Sequence, residues 1–163
     1  MRSEPLTPAA FSAFGDVIDA GRLDLATPIN QGYAECWGDL ARIDTAQAGG
    51  RTIVSIYRAH PCPLPFRLRL LERHRLGSQA FIPLGKHSFL VIVAPADAEP
   101  TPSSVRVFRT SPGQGVNLAR GVWHHPLAAI DAGDFLVIER GAPDITVDCE
   151  ERVLSTPDTW VSE

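Results

Sequence analysis

The sequence has few cysteines and no long apolar run, and both absences limit what the protein can be. Its three cysteines, Cys36, Cys62 and Cys149, are widely spaced and form no CxxC pair. Such a set is not a disulfide framework, and free thiols are typical of the reducing cytoplasm. The longest apolar stretch, residues 89–96, is too short to span a bilayer, and the first residues contain no apolar segment of signal-peptide length. We therefore expect a soluble, cytoplasmic protein.

Basic clusters and the common nucleotide-binding motifs are also absent. Fifteen Lys and Arg residues stand against 19 Asp and Glu residues, which gives a formal net charge of −4. Without a cluster of five or more basic residues, the sequence gives little support to a nucleic-acid or anionic-membrane surface. The lack of HExxH, P-loop and GxGxxG motifs argues against metalloprotease, nucleotide-binding and dinucleotide-dependent functions. The lack of GxSxG argues against a hydrolase of the nucleophile-elbow type.

The residues that are present favour an all-β domain. Hydrophobic residues make up 44% and charged residues 21%, and Gly 13 with Pro 14 supplies frequent breaks between short apolar segments. We predict one domain, residues 1–163, with enough strands to form a sandwich or barrel. The predicted strands are 53–58, 68–74, 80–84, 89–94, 105–110, 121–129, 135–140 and 145–149.

Helix is expected only in short pieces. Thr7 can cap a helix that has Pro8 in its first turn and ends near Gly15, with Phe11 and Phe14 anchoring it to a core. The segment 34–42 is predicted to form a second short helix.

Polar side chains on otherwise apolar strands point to a site. The period of two places Glu72 and His74 on one strand face, and the strand after the next turn can bring Gln79 beside them. His124 and His125 are adjacent, so only one of them can point inward. A carboxylate, imidazoles and an amide around one cavity would suit a divalent metal such as Ni, Mn, Fe or Zn.

Several blocks of the sequence resemble the ureidoglycolate lyase family. The first is ERHRLGSQAFIPL at 72–84, and the second joins GQGVN at 113–117 to GVWHHPL at 121–127. The segments LTPAAFSAFGDVI, INQG and DFLVIER also match, in order and at plausible spacing. Any one block would be weak evidence, but together they are specific.

The resemblance implies a cupin-like β-barrel of the jelly-roll type. The two cupin motifs would fall on Glu72-x-His74-x4-Gln79 and on the stretch from Gly113 to His124, and the family alignment makes His124 the inward histidine. The chain departs from the general cupin pattern at the first His, the Glu and the Pro of those motifs. Because Gln is a poorer ligand than Glu, these departures weaken the predicted metal site.

The resemblance also implies a reaction, a cofactor and an assembly. The expected activity is cleavage of (S)-ureidoglycolate to glyoxylate and urea in allantoin and purine catabolism, by a homodimer that uses a divalent metal, Ni by the resemblance. Apolar residues near the C-terminus, Val153, Leu154 and Trp160, give the homodimer loose support. The catalytic residues would be Glu72, His74 and His124, the metal ligands these three with Gln79, and the substrate-binding residues Gln79, Asn30, Arg73, Lys86 and His125.

Alternatives stay open at this stage. A metal-free mechanism would use His124 or Glu72 as the base, with cationic groups holding the substrate carboxylate, and Arg109 and Arg120 are further candidates for that role. Another cupin enzyme, a metal-dependent oxygenase or an isomerase, would also fit two histidines and one carboxylate. A non-catalytic protein that binds a small acid is the third possibility.

Overall fold

The computed structural model describes residues 1–21, 25–144, 147–154 and 159–162, and nearly all of its regular structure is β-strand. One four-residue helix, α1 (Pro8–Phe11), precedes most of the strands. The strands, numbered along the chain, are β1 (Glu4–Pro5), β2 (Gly15–Ile18), β3 (Thr27–Ile29), β4 (Ala34–Cys36), β5 (Arg51–Ala59), β6 (Phe66–Arg67), β7 (Leu70–His74), β8 (Gln79–Pro83), β9 (Phe89–Ala94), β10 (Arg106–Arg109), β11 (Gly115–Leu118), β12 (Trp123–His124), β13 (Ala128–Ala129), β14 (Gly133–Gly141), β15 (Cys149–Val153) and β16 (Trp160–Val161).

Two sheets account for most of these strands. One has the order β1-β10-β9-β12-β7-β15, with β13 also paired to β9, and the other has the order β2-β11-β8-β14-β5. Buried apolar side chains from both sheets share one core cluster, for example Val93 and Phe108 from the first with Phe81, Val116 and Val137 from the second. The sheets therefore face each other across this core. The all-β prediction is confirmed, and the arrangement is consistent with the cupin-like fold.

A second apolar cluster covers the other face of the seven-stranded sheet. Leu71 and Trp123 point into it, and Leu154 and Val161 pack on them from the C-terminal part of the chain. The alternation along β7 thus turns Leu71 away from the face that carries Glu72 and His74. This is the distribution that the period of two predicts.

The first predicted helix is confirmed at its start but ends at Phe11, before Gly15, which begins β2, whereas the second predicted helix is wrong. The Thr7 side chain accepts a hydrogen bond from the Ala10 amide, and Phe11 is fully buried. Residues 34–42 form β4 followed by an irregular segment, because Gly38 interrupts the stretch and Asp39 takes a positive φ of 54°. No helix in the described ranges is long and apolar enough to cross a membrane.

Two predicted strands differ in their bounds. The segment 121–129 contains two separate strands, β12 and β13, because Pro126 between them has no amide N–H to donate to the ladder. The last strand begins at Cys149 and continues to Val153. The prediction for 145–149 falls partly on residues 145 and 146, which lie outside the described residues.

Candidate active site

Two neighbouring strands bring together a carboxylate and two imidazoles. In the pairing of β12 with β7, His124 lies directly opposite Glu72, and His74 lies two residues further along β7 on the same face. His124 Nε2 lies 3.6 Å from Glu72 Oε1, and the two imidazole rings are 5.5 Å apart between centroids. One ligand atom from each of the three residues lies within 4.8 Å of the other two. We call Glu72, His74 and His124 the triad.

The facing sheet adds an amide, a second carboxylate and a phenol. Gln79 begins β8, and its Oε1 lies 3.1 Å from His124 Nε2. Its Nε2 donates to Glu139 Oε2 over 2.8 Å, and the Tyr57 hydroxyl donates to Glu139 Oε1 over 3.1 Å. A continuous chain of polar contacts therefore runs from His124 through Gln79 and Glu139 to Tyr57, from one sheet to the other.

The turn between β7 and β8 needs a glycine to hold this geometry. A Cβ at Gly77 would lie 2.5 Å from Cβ of Arg140, so no larger residue fits without displacing the backbone. Arg140 itself is held by the Gln47 carbonyl at 2.9 Å and by the Asp148 carboxylate at 3.5 Å. The close approach fixes where β8 starts, and Gln79 follows two residues later.

The hydrogen bonds of His124 leave one ring nitrogen facing oxygen acceptors. Its Nδ1 lies 3.0 Å from the Val122 carbonyl oxygen, which can only accept, so Nδ1 carries the proton. In the neutral ring, the Nε2 lone pair then faces Gln79 Oε1 and Glu72 Oε1. Such a set of lone pairs is stabilised by a cation placed among them, either a proton on Nε2 or a metal ion.

His74 provides a second sign of a ligand site. Its Nε2 is buried and makes no hydrogen bond in the described structure. Burial lowers the pKa of His74, the charge of His124 lowers it further, and the attraction of Glu72, Asp148 and Glu139 only partly offsets this. A neutral imidazole with a free nitrogen in a polar cavity is a metal ligand or a proton acceptor.

Glu72 has the properties of an anionic ligand. Burial raises its pKa, but the contact with His124 and the charges of His124, His74 and His125 outweigh this, and the pKa lies below its ordinary value. The Cys149 thiol approaches Glu72 Oε2 at 4.0 Å, and burial followed by the charge of Glu72 raises the pKa of that thiol. Cys149 is therefore a neutral neighbour of the triad. These donors fit a divalent ion held by two nitrogens and a carboxylate oxygen.

Glu72 and His74 of the triad, together with Gln79, Glu139 and Tyr57, line a cavity of about 360 Å³, and the buried His124 contacts Gln79 and Glu72 behind its wall. This volume suits a small polar molecule. Among the described residues, its walls carry the carboxylates of Glu72, Glu139 and Asp148 and one cationic residue, Arg140, whose guanidinium already contacts Asp148 and the Gln47 and Ala48 carbonyls. The described residues that line the cavity are Ile53, Tyr57, Glu72, His74, Gln79, Phe81, Pro126, Leu127, Glu139, Arg140, Asp148 and Cys149.

Three of the predicted substrate-binding residues are not brought to this cavity. Arg73 points to the other face of β7, where its guanidinium lies 4.2 Å from the Trp123 ring centroid and contacts Glu150 at 2.8 Å. Lys86 is exposed in the loop after β8, beyond the end opposite Gln79. Asn30 is exposed at the tip of the β3–β4 hairpin, with a φ of 51°. Sequence alternation assigns faces of a strand, but it does not say which end of the sheet a loop reaches.

The remaining predicted residues also fall into those that lie away from the cavity and those that the fold brings together. His125 faces away from the triad ligands, and its ring packs 5.3 Å from that of Phe66 while Nδ1 contacts the Pro126 carbonyl oxygen. Arg120 lies 3.7 Å from Asp44, and Arg109 is exposed at the end of β10. Glu72, His74, Gln79 and His124 are the residues that the fold assembles.

Sequence reasoning missed Glu139, Tyr57 and Cys149. The signal for Glu139 was present, because it follows Phe135 and Val137 at alternate positions of β14 and those two side chains are fully buried. A charged residue in phase with core residues belongs on the inner face. Tyr57 shares the inner face of β5 with Ile53, and that face could have been found in the same way.

The fold and the site together define a class of protein, namely an all-β protein with a cavity for a small polar molecule and a triad suited to a divalent metal. The family model described as ureidoglycolate lyase matches residues 1–162. The ureidoglycolate lyase of Burkholderia mallei is 51% identical over 140 residues, which cover 85% of this chain and 81% of that protein. The one from Pseudomonas aeruginosa is 49% identical over 141 residues, covering 86% and 83%. The one from Burkholderia cepacia is 49% identical over 167 aligned positions, covering 100% and 90%. The chain belongs to the ureidoglycolate lyase family.

Proposed function

We propose that the protein is a lyase that cleaves (S)-ureidoglycolate into glyoxylate and urea. The observation that carries the proposal is the cavity lined by Glu72 and His74, where His74 Nε2 is buried with no hydrogen-bond partner among the described residues and His124 lies within ligand distance. Membership of the family and the names of relatives about 50% identical support the choice of substrate.

The reaction needs only one proton to move. Ureidoglycolate carries a carboxylate, a hydroxyl and a ureido nitrogen on or beside one carbon. The hydroxyl loses its proton as the C=O bond of glyoxylate forms, the C–N bond breaks with its electrons passing to nitrogen, and that nitrogen gains a proton to complete urea. Neither water nor a redox partner is consumed, so the residues must bind the anion and transfer the proton.

The charges in the cavity favour metal assistance. An anionic substrate would meet Glu72, Glu139 and Asp148 with no free cationic side chain among the described lining residues. A divalent ion held by Glu72, His74 and His124, with Gln79 Oε1 beside it, would bind the substrate carboxylate and hydroxyl oxygens and lower the pKa of that hydroxyl. The resemblance suggests Ni.

The chain's own residues then orient the ligands and carry the proton. The Val122 carbonyl fixes the His124 ring by accepting from Nδ1, and this keeps Nε2 turned toward Gln79 and Glu72. In a metal-free alternative, His74 accepts the hydroxyl proton at Nε2, because its lowered pKa keeps it neutral, and it returns that proton to the departing nitrogen. A histidine cannot be a tight ligand and a free base at once, so the two mechanisms are distinguishable.

The biological setting follows from the same family. We place the reaction in allantoin and purine catabolism, carried out in the cytoplasm by a homodimer of single-domain chains. The free state of Cys36, Cys62 and Cys149 supports a reducing compartment.

Separate detection of the products tests the function. Purified protein incubated with racemic ureidoglycolate should release urea and glyoxylate in equal amounts, should form little ammonia, and should stop when half the racemate is consumed. Ammonia as the main nitrogen product would instead identify an amidohydrolase.

Chelation tests the metal. Exhaustive treatment with a chelator should lower activity, and Ni²⁺ or Mn²⁺ should restore it with about one bound ion per chain by elemental analysis. Full activity with no bound ion would favour the metal-free mechanism.

A further inference from the structure

We infer that Glu139 recognises the ureido group of the substrate and is a specificity-determining residue of this site. The inference rests on the proposed function, because it assigns the second half of the same substrate. The triad lies on one sheet, and Glu139 lies on the facing sheet, where it is joined to His124 through Gln79.

The position of Glu139 separates it from the triad by one amide group. Gln79 pairs directly with Glu139 in the β8–β14 ladder, and its side chain spans from His124 Nε2 to Glu139 Oε2. Ureidoglycolate has the same order of groups, since its carboxylate and hydroxyl are joined through one carbon to the ureido nitrogen. A substrate held by its carboxylate at the triad therefore extends its ureido group toward Glu139.

The hydrogen-bond polarity of Glu139 matches that group. Both of its oxygens already accept one hydrogen bond, from Gln79 and from Tyr57, and each oxygen has a further lone pair. Burial and the adjacent Glu139 raise the pKa of Tyr57 to about 12, so the phenol stays protonated and keeps donating at neutral pH. The carboxylate can thus accept two more donors. A planar ureido group presents two parallel N–H bonds, one from each nitrogen, in the bidentate spacing that carboxylates accept.

No cation in the described part of the chain takes up this acceptor. The following residue, Arg140, also lines the cavity, but its guanidinium donates to the Gln47 and Ala48 carbonyls and lies 3.5 Å from Asp148. A carboxylate lining a substrate cavity without a basic partner is suited to neutral N–H donors from a ligand. An amide that lacks the terminal NH₂ would offer only one of the two donors.

Two unreactive analogues isolate the interaction. Hydantoate is ureidoglycolate without the hydroxyl, and N-acetylglycine replaces its terminal NH₂ by a methyl group while keeping the carboxylate and the charge. Their dissociation constants should be measured by calorimetry on the full chain supplied with Mn²⁺. The wild type should bind hydantoate about ten- to a hundredfold more tightly, the usual range for a hydrogen bond to a charged group. Glu139→Gln should bring the ratio close to one.

Glu72→Gln is the matched control, because it alters the carboxylate-binding end. It should weaken both analogues together and leave their ratio near the wild-type value. The inference is overturned if Glu139→Gln, shown to be folded by its thermal melt, retains the wild-type ratio or weakens both analogues equally. A protein that keeps the hydantoate preference but does not cleave ureidoglycolate would overturn the proposed function and leave the role of Glu139 standing. Binding of neither analogue by a wild type that does cleave ureidoglycolate would overturn the role of Glu139 and leave the proposed function standing.

Discussion

At the scale of single residues, the two adjacent histidines are the sharpest test of the site. His124 is 2% exposed and contacts Gln79 and Glu72, whereas His125 packs against Phe66. His124→Ala should lower turnover by at least about a hundredfold, the scale of lost acid–base assistance, and should abolish bound metal in elemental analysis. His125→Ala should keep the metal and act mainly through packing, with a loss of stability of about 0.5–3 kcal/mol.

Thermal melts and gel filtration separate folding from chemistry in this pair. A folded His125→Ala protein without activity, beside a nearly wild-type His124→Ala protein, would show that the inward face of this strand has been assigned incorrectly. The site would then have to be rebuilt around Trp123 and His125.

Gln79 explains a departure from the general cupin pattern. The pattern has Glu at this position, but here the side chain must donate to Glu139 at 2.8 Å as well as face His124. A second carboxylate would bring two negative charges together at that distance, which is costly in a partly buried cavity. The amide serves both contacts at the expense of ligand strength.

The limits of sequence reasoning are clear at this scale. Alternation on one strand and the spacing of the family motif placed Glu72, His74, Gln79 and His124, and the fold brings these four together. Lys86 and Asn30 could not be placed, because their positions depend on where loops emerge. Glu139 was missed although its alternation with the buried Phe135 and Val137 predicts an inward side chain, and only its position opposite Gln79 depends on strand order.

At the scale of elements, the pairing of β7 with β15 supports the triad from outside the cavity. Glu150 lies opposite Arg73 in this ladder and accepts hydrogen bonds from Arg73 at 2.9 Å and Arg75 at 2.6 Å, with Arg152 at 3.2 Å. The same strand pair holds Cys149 opposite His74. The arginine contacts therefore align the strand that carries two of the triad residues.

The ionisation of Glu150 makes the stability contributed by the β7–β15 pair depend on pH. Hydrogen bonds from Arg73 and then Arg75 hold the pKa of Glu150 below its ordinary value. A carboxyl with a lowered pKa binds fewer protons in the folded than in the unfolded chain, so its stabilisation is present above about pH 4.3 and is lost as the pH falls through the folded pKa. Glu150→Gln should therefore melt below the wild type at pH 7, and the difference should shrink on acidification below about pH 4.3.

Glu151→Gln is the control on the same strand, since Glu151 is exposed. It should change the melting temperature at pH 7 less than Glu150→Gln does. A wild-type advantage over Glu150→Gln that stayed constant from pH 7 to the acid limit would show that Glu150 acts through packing and not through its charge.

At the scale of the whole molecule, one sheet face stays apolar and uncovered by the described chain. Phe135 and Val137 of β14 point into the core, so the alternate Leu136 and Ile138 point outward. On the neighbouring strand β5, Ile56 lies opposite Leu136 and Val54 lies opposite Ile138. The exposed fraction is 54% for Ile56 and 63% for Val54. Because β5 is the edge strand of this sheet, it also presents an unpaired ladder. We expect the second copy of the proposed homodimer to cover this face.

The position of this apolar face on β5 matters for the active site as well as for assembly. The alternate residues of β5, Ile53 and Tyr57, line the cavity from its inner face. A partner that covers Val54 and Ile56 would hold the same strand in place, and with it the Tyr57 hydroxyl that donates to Glu139. Assembly and recognition of the ureido group would then depend on one strand.

A charged substitution on this face tests whether the face forms the interface of the dimer. A two-fold interface places the same patch of both copies in contact, so Ile56→Lys introduces two like charges for one substitution and buries both. Sedimentation should show a dimer for the wild type and a monomer for Ile56→Lys. Val153→Lys, at a residue 70% exposed on the other sheet, is the matched control and should stay dimeric. If instead Val153→Lys dissociates the dimer and Ile56→Lys does not, the interface lies on the seven-stranded sheet near the C-terminus, and the outer face of β5 is not covered by the partner.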